Sequence, residues 1–366
     1  MRVLVFGTYD TAMHPRVATI AEGLRANGVD VSECNAPLGI DTEGRVATLA
    51  RPSRIPAFLA RIARRWLTLA RAARRLPKPD VVLVGYLGHF DVHLARLLFR
   101  RVPIVLDHLI GASDTAKDRR LDGGARARLM RMIDSAALRA ADIVLVDTDE
   151  HKAALPDRHR DQAIVVPVGA PHAWFTAPAD PHDGPLRVVF FGLYTPLQGA
   201  PVIGAALASL IGEPIEVTMV GRGQDEAATK SAAGNDAVTW LDWVPAADLP
   251  ALVAGHDVCL GIFDTGPKAL RVVPNKVFQG AAAGCAIVTS DTAPQRRALG
   301  DAALLVPPGD PAALADALRT LATDRAELAR LQRAGHGLAT TRFAPEHVVE
   351  PLMAAVEDRF ATTTRS

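Results

Sequence analysis

Gly261-Ile-Phe-Asp-Thr-Gly-Pro-Lys-Ala-Leu-Arg-Val-Val-Pro-Asn-Lys-Val-Phe-Gln-Gly-Ala-Ala-Ala-Gly-Cys-Ala-Ile-Val-Thr-Ser-Asp291 reads as strand end, loop, helix and next strand. The apolar run Val258 to Phe263 leads into a loop carrying Lys268 and Arg271. Pro274 and Asn275 open a helix of small residues, Gly284 follows it, and Ala286 to Thr289 begins a new strand. Strand, crossover helix and strand make a parallel βαβ unit, in which ligands sit at the carboxyl ends of strands. A helix start presents unpaired N–H groups and partial positive charge, which suits phosphate. Two cations just ahead of it make this stretch the expected seat of a diphosphate.

The same grammar runs outward in both directions. In the first half, strands are expected at Val3–Phe6, Val81–Val84, Ile104–Leu106, Ile143–Val146 and Ile164–Val168, with a weaker one near Val31. In the second half they are expected at Val188–Phe191, Glu216–Val220, Val238–Leu241, Val258–Phe263, Ala286–Thr289 and Ala303–Val306. Short β-branched runs separated by Ala/Leu/Arg segments of helical spacing predict parallel sheets covered on both faces. The stretch 167–185 holds five prolines and reads as a stiff linker. The expected fold is α/β: two doubly wound, Rossmann-like domains facing a cleft, residues 1–168 and 186–343 joined by a linker at 169–185. Residues 344–366 are expected to form a C-terminal helix and tail crossing back to the N-terminal domain.

Composition sets the outer bounds. At 366 residues the chain exceeds one ordinary core, and 41 basic against 40 acidic residues give no global nucleic-acid signature. Cys34, Cys259 and Cys285 lie in or beside apolar runs, which fits reduced thiols in a cytoplasmic protein. Val3 to Phe6 is too short for a signal-peptide core, and Pro196, Pro201 and four glycines interrupt the uncharged stretch 188–212.

Three more strand ends of the second half carry ligand-type loops. Gly192 opens a turn that ends in Gln198-Gly199, and Gly221-Arg222-Gly223 occupies the next strand end. Glycine there lets a backbone approach a phosphate closely. Trp243-Val244 follows the third strand, where a flat base can lie against the indole.

Together with Gly7, Pro274-Asn275-Lys276-Val-Phe-Gln279, Gly284 and the ending Leu304 to Leu318, these loops resemble family 4 of the retaining GT-B glycosyltransferases over nearly the whole chain. The resemblance implies metal-independent transfer of a sugar from a nucleoside diphosphate donor to an acceptor hydroxyl. It also implies that Gly7, Arg16, Gly192, Gln198, Gly199, Gly221, Arg222, Trp243, Val244, Pro274, Asn275, Lys276 and Gln279 bind the donor, with His108, Lys268 and Arg271 catalytic. Two departures stand out. Arg271 and Gln279 occupy the positions of the family's two glutamates, and Leu193 and Gln198 those of its basic pair. Lys268 and Arg271 are the expected substitutes for that charge. A catalytically inactive sugar-nucleotide-binding relative, or another GT-B enzyme such as an epimerase or phosphorylase, is the alternative. A Rossmann oxidoreductase is disfavoured because Gly7-Thr-Tyr-Asp-Thr-Ala lacks the dinucleotide spacing.

In the first half, Asp10, His14 and Arg16 follow the first strand, and Asp107-His108 ends another, with Asp114 beyond. His108 is the preferred candidate to meet the transferring sugar or orient the acceptor hydroxyl. His89-Phe-Asp91-Val-His93 offers metal-type ligands, but no fourth, and no metal is expected. Asp147-Thr-Asp149 is expected to end a strand and cap the next helix rather than bind a metal.

From Gly44 to Pro79 there is no acidic residue. Phe58, Ile62, Trp66, Leu69 and Ala73 recur at helical spacing, and Arg61, Arg64, Arg65, Arg71, Arg74 and Arg75 occupy much of the rest. Such a basic amphipathic helix predicts contact with an anionic membrane surface, placing the protein in the cytoplasm or peripherally on the inner membrane face, with a lipid-linked or saccharide acceptor in cell-envelope synthesis. Nucleic acid is not expected, since no aromatic stacking platform accompanies the arginines.

Overall fold

The β-branched runs pair side by side in parallel ladders. The computed structural model describes residues 1–10, 15–39, 55–109, 124–178, 182–234 and 238–363. One sheet holds β1 (Arg2–Gly7), β2 (Asp30–Asn35), β3 (Val81–Val84), β4 (Ile104–Asp107), β5 (Ile143–Val146) and β6 (Ala163–Val165), in the order β2-β1-β3-β4-β5-β6. The other holds β7 (Leu186–Phe191), β8 (Ile215–Val220), β9 (Val238–Leu241), β10 (Val258–Leu260), β11 (Ala286–Ser290) and β12 (Ala303–Val306), in the order β12-β11-β10-β7-β8-β9. Both are doubly wound α/β sheets, as the alternation of runs predicted.

The chain divides into two compact units, Met1–Pro167 with Val348–Ser366, and Val168–His347. In the first unit, side-chain alternation builds a core on each sheet face. Leu4, Phe6, Val82, Val84, Ile104 and Leu106 face one way; Val3, Val5, Val81, Leu83 and Val105 face the other. Helices on both sides are what keep strands such as β3 buried along their whole length. The C-terminal helix (Glu350–Thr363) covers the second face with Leu352 and Val356.

Two elements differ from expectation. β10 ends at Leu260 rather than Phe263, because Gly261 N–H still reaches Val288 O at 2.8 Å while Ile262 N–H turns to the Thr289 hydroxyl at 3.3 Å. The proline-rich stretch is also not a bare spacer. A turn of 3-10 helix (His172–Trp174) seats Trp174 against the Phe191 ring, with centroids 5.5 Å apart, and Thr176 N–H donates to Ala282 O at 3.1 Å. That stretch is fastened to the second unit by an aromatic stack and a backbone bond.

The basic helix, Ile55–Ala73, forms as its spacing requires. Phe58 and Ile62 pack with Leu38, and Leu69 joins the first core, so the apolar stripe is covered by the fold itself. Arg61, Arg64, Arg71, Arg74 and Arg75 are exposed, Arg65 is half-buried, and Leu59 and Leu67 stand out among them. Among the described residues no helix is long and apolar enough to cross a membrane. The arginines before Ile55, together with His14 and Asp114, lie outside the described residues.

Candidate functional site

The strand order of the second sheet reverses between β7 and β10, since the chain winds outward from β7 through β8 and β9 and then returns to β10 on its other side. Such a switch point leaves a crevice at the carboxyl ends of the two strands, the usual ligand position in open α/β sheets. Lys276 stands there. It belongs to the helix Asn275–Ala282 that follows β10, and only 5 % of its surface is exposed.

Three groups hold its ammonium in place. Nζ donates to Gln198 Oε1, in the loop after β7. It sits 3.6 Å from the centroid of the Phe190 ring, close enough for a cation–π contact. Gly192, at φ 134°, closes the third side, where an added Cβ would lie 3.4 Å from Nζ. Burial pushes the lysine down to about 7, against a smaller upward pull from Cys259. Among the described residues no carboxylate pairs with this lysine, which leaves its charge for an anion. Pro274 supplies no side-chain cap at the helix start, and Gln279, one turn on, is buried on the same face.

The neighbouring loops are locked together by glycine. Gly221, at φ 129°, comes so close to Gly192 that a Cβ would meet its carbonyl oxygen at 1.9 Å. Gly199, at φ 63°, lies close to Asp264, whose backbone nitrogen an added Cβ would meet at 2.4 Å, and Phe263 N–H donates to Gln198 O at 3.0 Å. Beyond β8, the Arg222 guanidinium lies 5.7 Å from the centre of the Trp243 ring. Trp243 is 54 % exposed, so a broad aromatic face is open to solvent at the end of β9, with half-buried Val244 beside it.

Residues 185–324, which span β7 to β12 and these loops, match the family described as glycosyl transferases group 1. The match covers most of the second unit. No curated relative matches the sequence. Among solved structures, the chain resembles sucrose-phosphate synthase from Thermosynechococcus elongatus, with TM-score 0.70 at 17 % identity, covering 99 % of both chains. It resembles the α,α-trehalose-phosphate synthase (UDP-forming) of Burkholderia vietnamiensis, with TM-score 0.68 at 16 % identity over 98 % of this chain and 99 % of that one. Anabaena HepE in complex with UDP and glucose gives 0.64 at 16 %, over 100 % and 99 %. At these identities the likeness establishes a GT-B-like fold.

Within the second unit, the sequence-predicted residues separate into two groups. Gly192, Gln198, Lys276 and the helix start at Pro274-Asn275 converge on the switch point. Lys268 and Arg271 lie on the preceding turn, Ala269–Arg271, where Arg271 Nε donates to Pro267 O at 2.9 Å. The buried cation at the strand ends is therefore Lys276, one turn of chain beyond the pair to which the sequence reading gave the charge. Phe190, the ring beneath it, was read only as part of an apolar run.

In the first unit, Gly7 is buried and the adjacent Thr8 is already engaged. Its N–H and hydroxyl donate to Asp91 Oδ2 at 2.7 and 2.8 Å, while Trp66 Nε1 donates to Asp91 Oδ1 at 2.9 Å. The Asp91 carboxylate thus lies beside Gly7 and Thr8. Arg16 is fully buried: Nε donates to Asp107 Oδ1 at 2.8 Å and NH1 to Pro167 O at 2.9 Å. Its charge is balanced inside the fold, a structural task the sequence did not reveal. Thr148, not either aspartate around it, caps the helix Asp149–Ala154, accepting from His151 N–H at 3.1 Å. His108 follows β4, and burial together with nearby His89 pushes its imidazole down to about 3. It is uncharged at neutral pH, able to accept or donate one hydrogen bond.

Proposed function

We propose that the protein transfers a sugar from a nucleoside diphosphate sugar to an acceptor hydroxyl, with retention and without a required metal. The observation that carries this reading is Lys276, a buried lysine held by Gln198 and the Phe190 ring at the switch point of the unit that matches the group 1 glycosyl transferases. The bound diphosphate displaces Gln198 from Nζ and receives the charge. The uncapped start of the helix Asn275–Ala282 adds its N–H groups and partial positive charge. Lys268 and Arg271, on the turn in front, meet the leaving phosphate as negative charge develops on it. Arg222 and Trp243 present a cation and a ring to the base, and Gln279 offers its amide to the ribose. HepE, which binds UDP and glucose, and UDP-forming trehalose-phosphate synthase support this choice of donor class. In the first unit, His108 orients the acceptor hydroxyl.

The exposed arginines of the helix Ile55–Ala73 hold this unit against an anionic membrane surface, where a lipid-linked acceptor is found. Their contact is electrostatic, since the main apolar stripe is already buried, and each surface cation contributes about 1 kcal/mol.

The test is a panel of nucleoside diphosphate sugars offered with and without acceptor sugars and lipid-linked saccharides. Acceptor-dependent release of nucleoside diphosphate, with the product anomer matching the donor, is expected. Binding of a nucleotide sugar without any release would select the inactive relative, the reading favoured by Arg271 and Gln279 at the two glutamate positions.

A further inference from the structure

The fold separates His89, Asp91 and His93. Asp91 anchors Thr8 and Trp66, and His93 is exposed. His89 turns instead toward two residues distant in sequence, His108 after β4 and Asp134 on the helix Gly124–Ala140. One ligand-type atom from each of the three lies within 4.8 Å of the others. His89 and His108 are 7 % exposed and Asp134 is 8 %. The two imidazole rings meet edge to face with centroids 5.3 Å apart. His89 Nε2 stands 3.2 Å from Asp134 Oδ1 yet makes no hydrogen bond. His108 Nδ1 is likewise buried without a hydrogen-bond partner among the described residues. Buried polar atoms left unsatisfied are costly, by about 1–3 kcal/mol each, and call for a partner.

We propose that His89, His108 and Asp134 form a binding site for a zinc-type divalent cation. Two imidazoles and a carboxylate are the donor set that borderline transition ions prefer, and they leave one position for water. With ligand bonds of about 2.0–2.1 Å, tetrahedral donors stand roughly 3.3 Å apart. The His89–Asp134 pair already has that separation, and the longest side of the triangle closes by roughly 1.5 Å through side-chain rotation. The two histidines are held by contacts outside the cluster: the His108 backbone N–H donates to Leu145 O at 2.9 Å, and the turn carrying His89 is pinned by Asp91. A cation here takes the imidazole that the transfer reaction uses for its acceptor, so occupancy withdraws His108 from that role.

The measurement is equilibrium dialysis of the full chain against Zn2+, with Co2+ absorption as a reporter of geometry. This readout needs no transferase activity, so it stands or falls apart from the glycosyltransferase reading. One zinc per chain is expected, with the strong visible bands of four-coordinate Co2+ and no thiolate charge-transfer band. H89Q and D134N each weaken zinc at least tenfold, while H93Q binds as the parent does. Equal zinc affinity in H89Q or D134N, or a Co2+ spectrum of six-coordinate or thiolate type in the parent, overturns the site. The parent's spectrum decides the matter even if a variant fails to fold.

Discussion

Replacing Lys276 by methionine separates what the buried ammonium costs from what it does. Burial takes the lysine from its ordinary 10.5 to about 7. At about 1.4 kcal/mol per pKa unit, that drop corresponds to roughly 5 kcal/mol against the folded state. The sign follows from proton linkage. The unfolded chain keeps this proton to about pH 10.4, whereas the folded chain releases it near 7. The penalty is therefore complete below pH 7 and fades as pH rises toward 10. Methionine fills a similar volume without the charge. K276M is expected to exceed the parent by about 5 kcal/mol in urea unfolding at pH 6, with the gap closing by pH 10. In calorimetry at pH 6.5 the same variant binds UDP or GDP about 10- to 100-fold more weakly, the loss of one charged hydrogen bond. A variant no more stable than the parent at pH 6, or a gap indifferent to pH, refutes the electrostatic reasoning. Unchanged nucleotide affinity refutes the site.

Other perturbations test separate parts of the account. R16M strands Asp107 in the interior and is expected to cost about 3–5 kcal/mol in denaturant unfolding, with R16M/D107L recovering much of it. G221A must drive its Cβ off the Gly192 carbonyl, 1.9 Å away, so about 2 kcal/mol or more of stability and most nucleotide binding should disappear together. K268A or R271A lowers turnover about a hundredfold with smaller effects on nucleotide affinity; rates near the parent's in both would exclude them from the leaving-group site. Sedimentation with vesicles checks the basic helix: binding to anionic but not neutral lipid, abolished by charge reversal at Arg64, Arg71 and Arg74, is the expected outcome.

The sheets were legible because each strand is a run of β-branched residues bounded by helical spacing, and a doubly wound sheet buries such a run on both faces. Val81 to Val84 needed no context. Strand ends were less legible: β10 stops early because the Thr289 hydroxyl competes for the Ile262 N–H, a contact between residues of different strands. The glycine loops at the strand ends were recognisable, but the buried environment of Lys276 was not. Lys276 and Gln198 lie 78 positions apart in the chain, and the lysine's burial exists only once β7 and β10 are neighbours. Lys268 and Arg271 look equally suitable in one dimension. The pairing of Arg16 with Asp107 was not legible either, since that partner belongs to a distant strand. His89 and Asp134 could not be joined to His108 from spacing at all.

The most direct measurement is a crystal structure with UDP or GDP bound. The account predicts the diphosphate at the β7–β10 switch point, with a phosphate oxygen within about 3 Å of Lys276 Nζ and Gln198 released from it. A nucleotide bound elsewhere, with Lys276 still donating to Gln198, contradicts it.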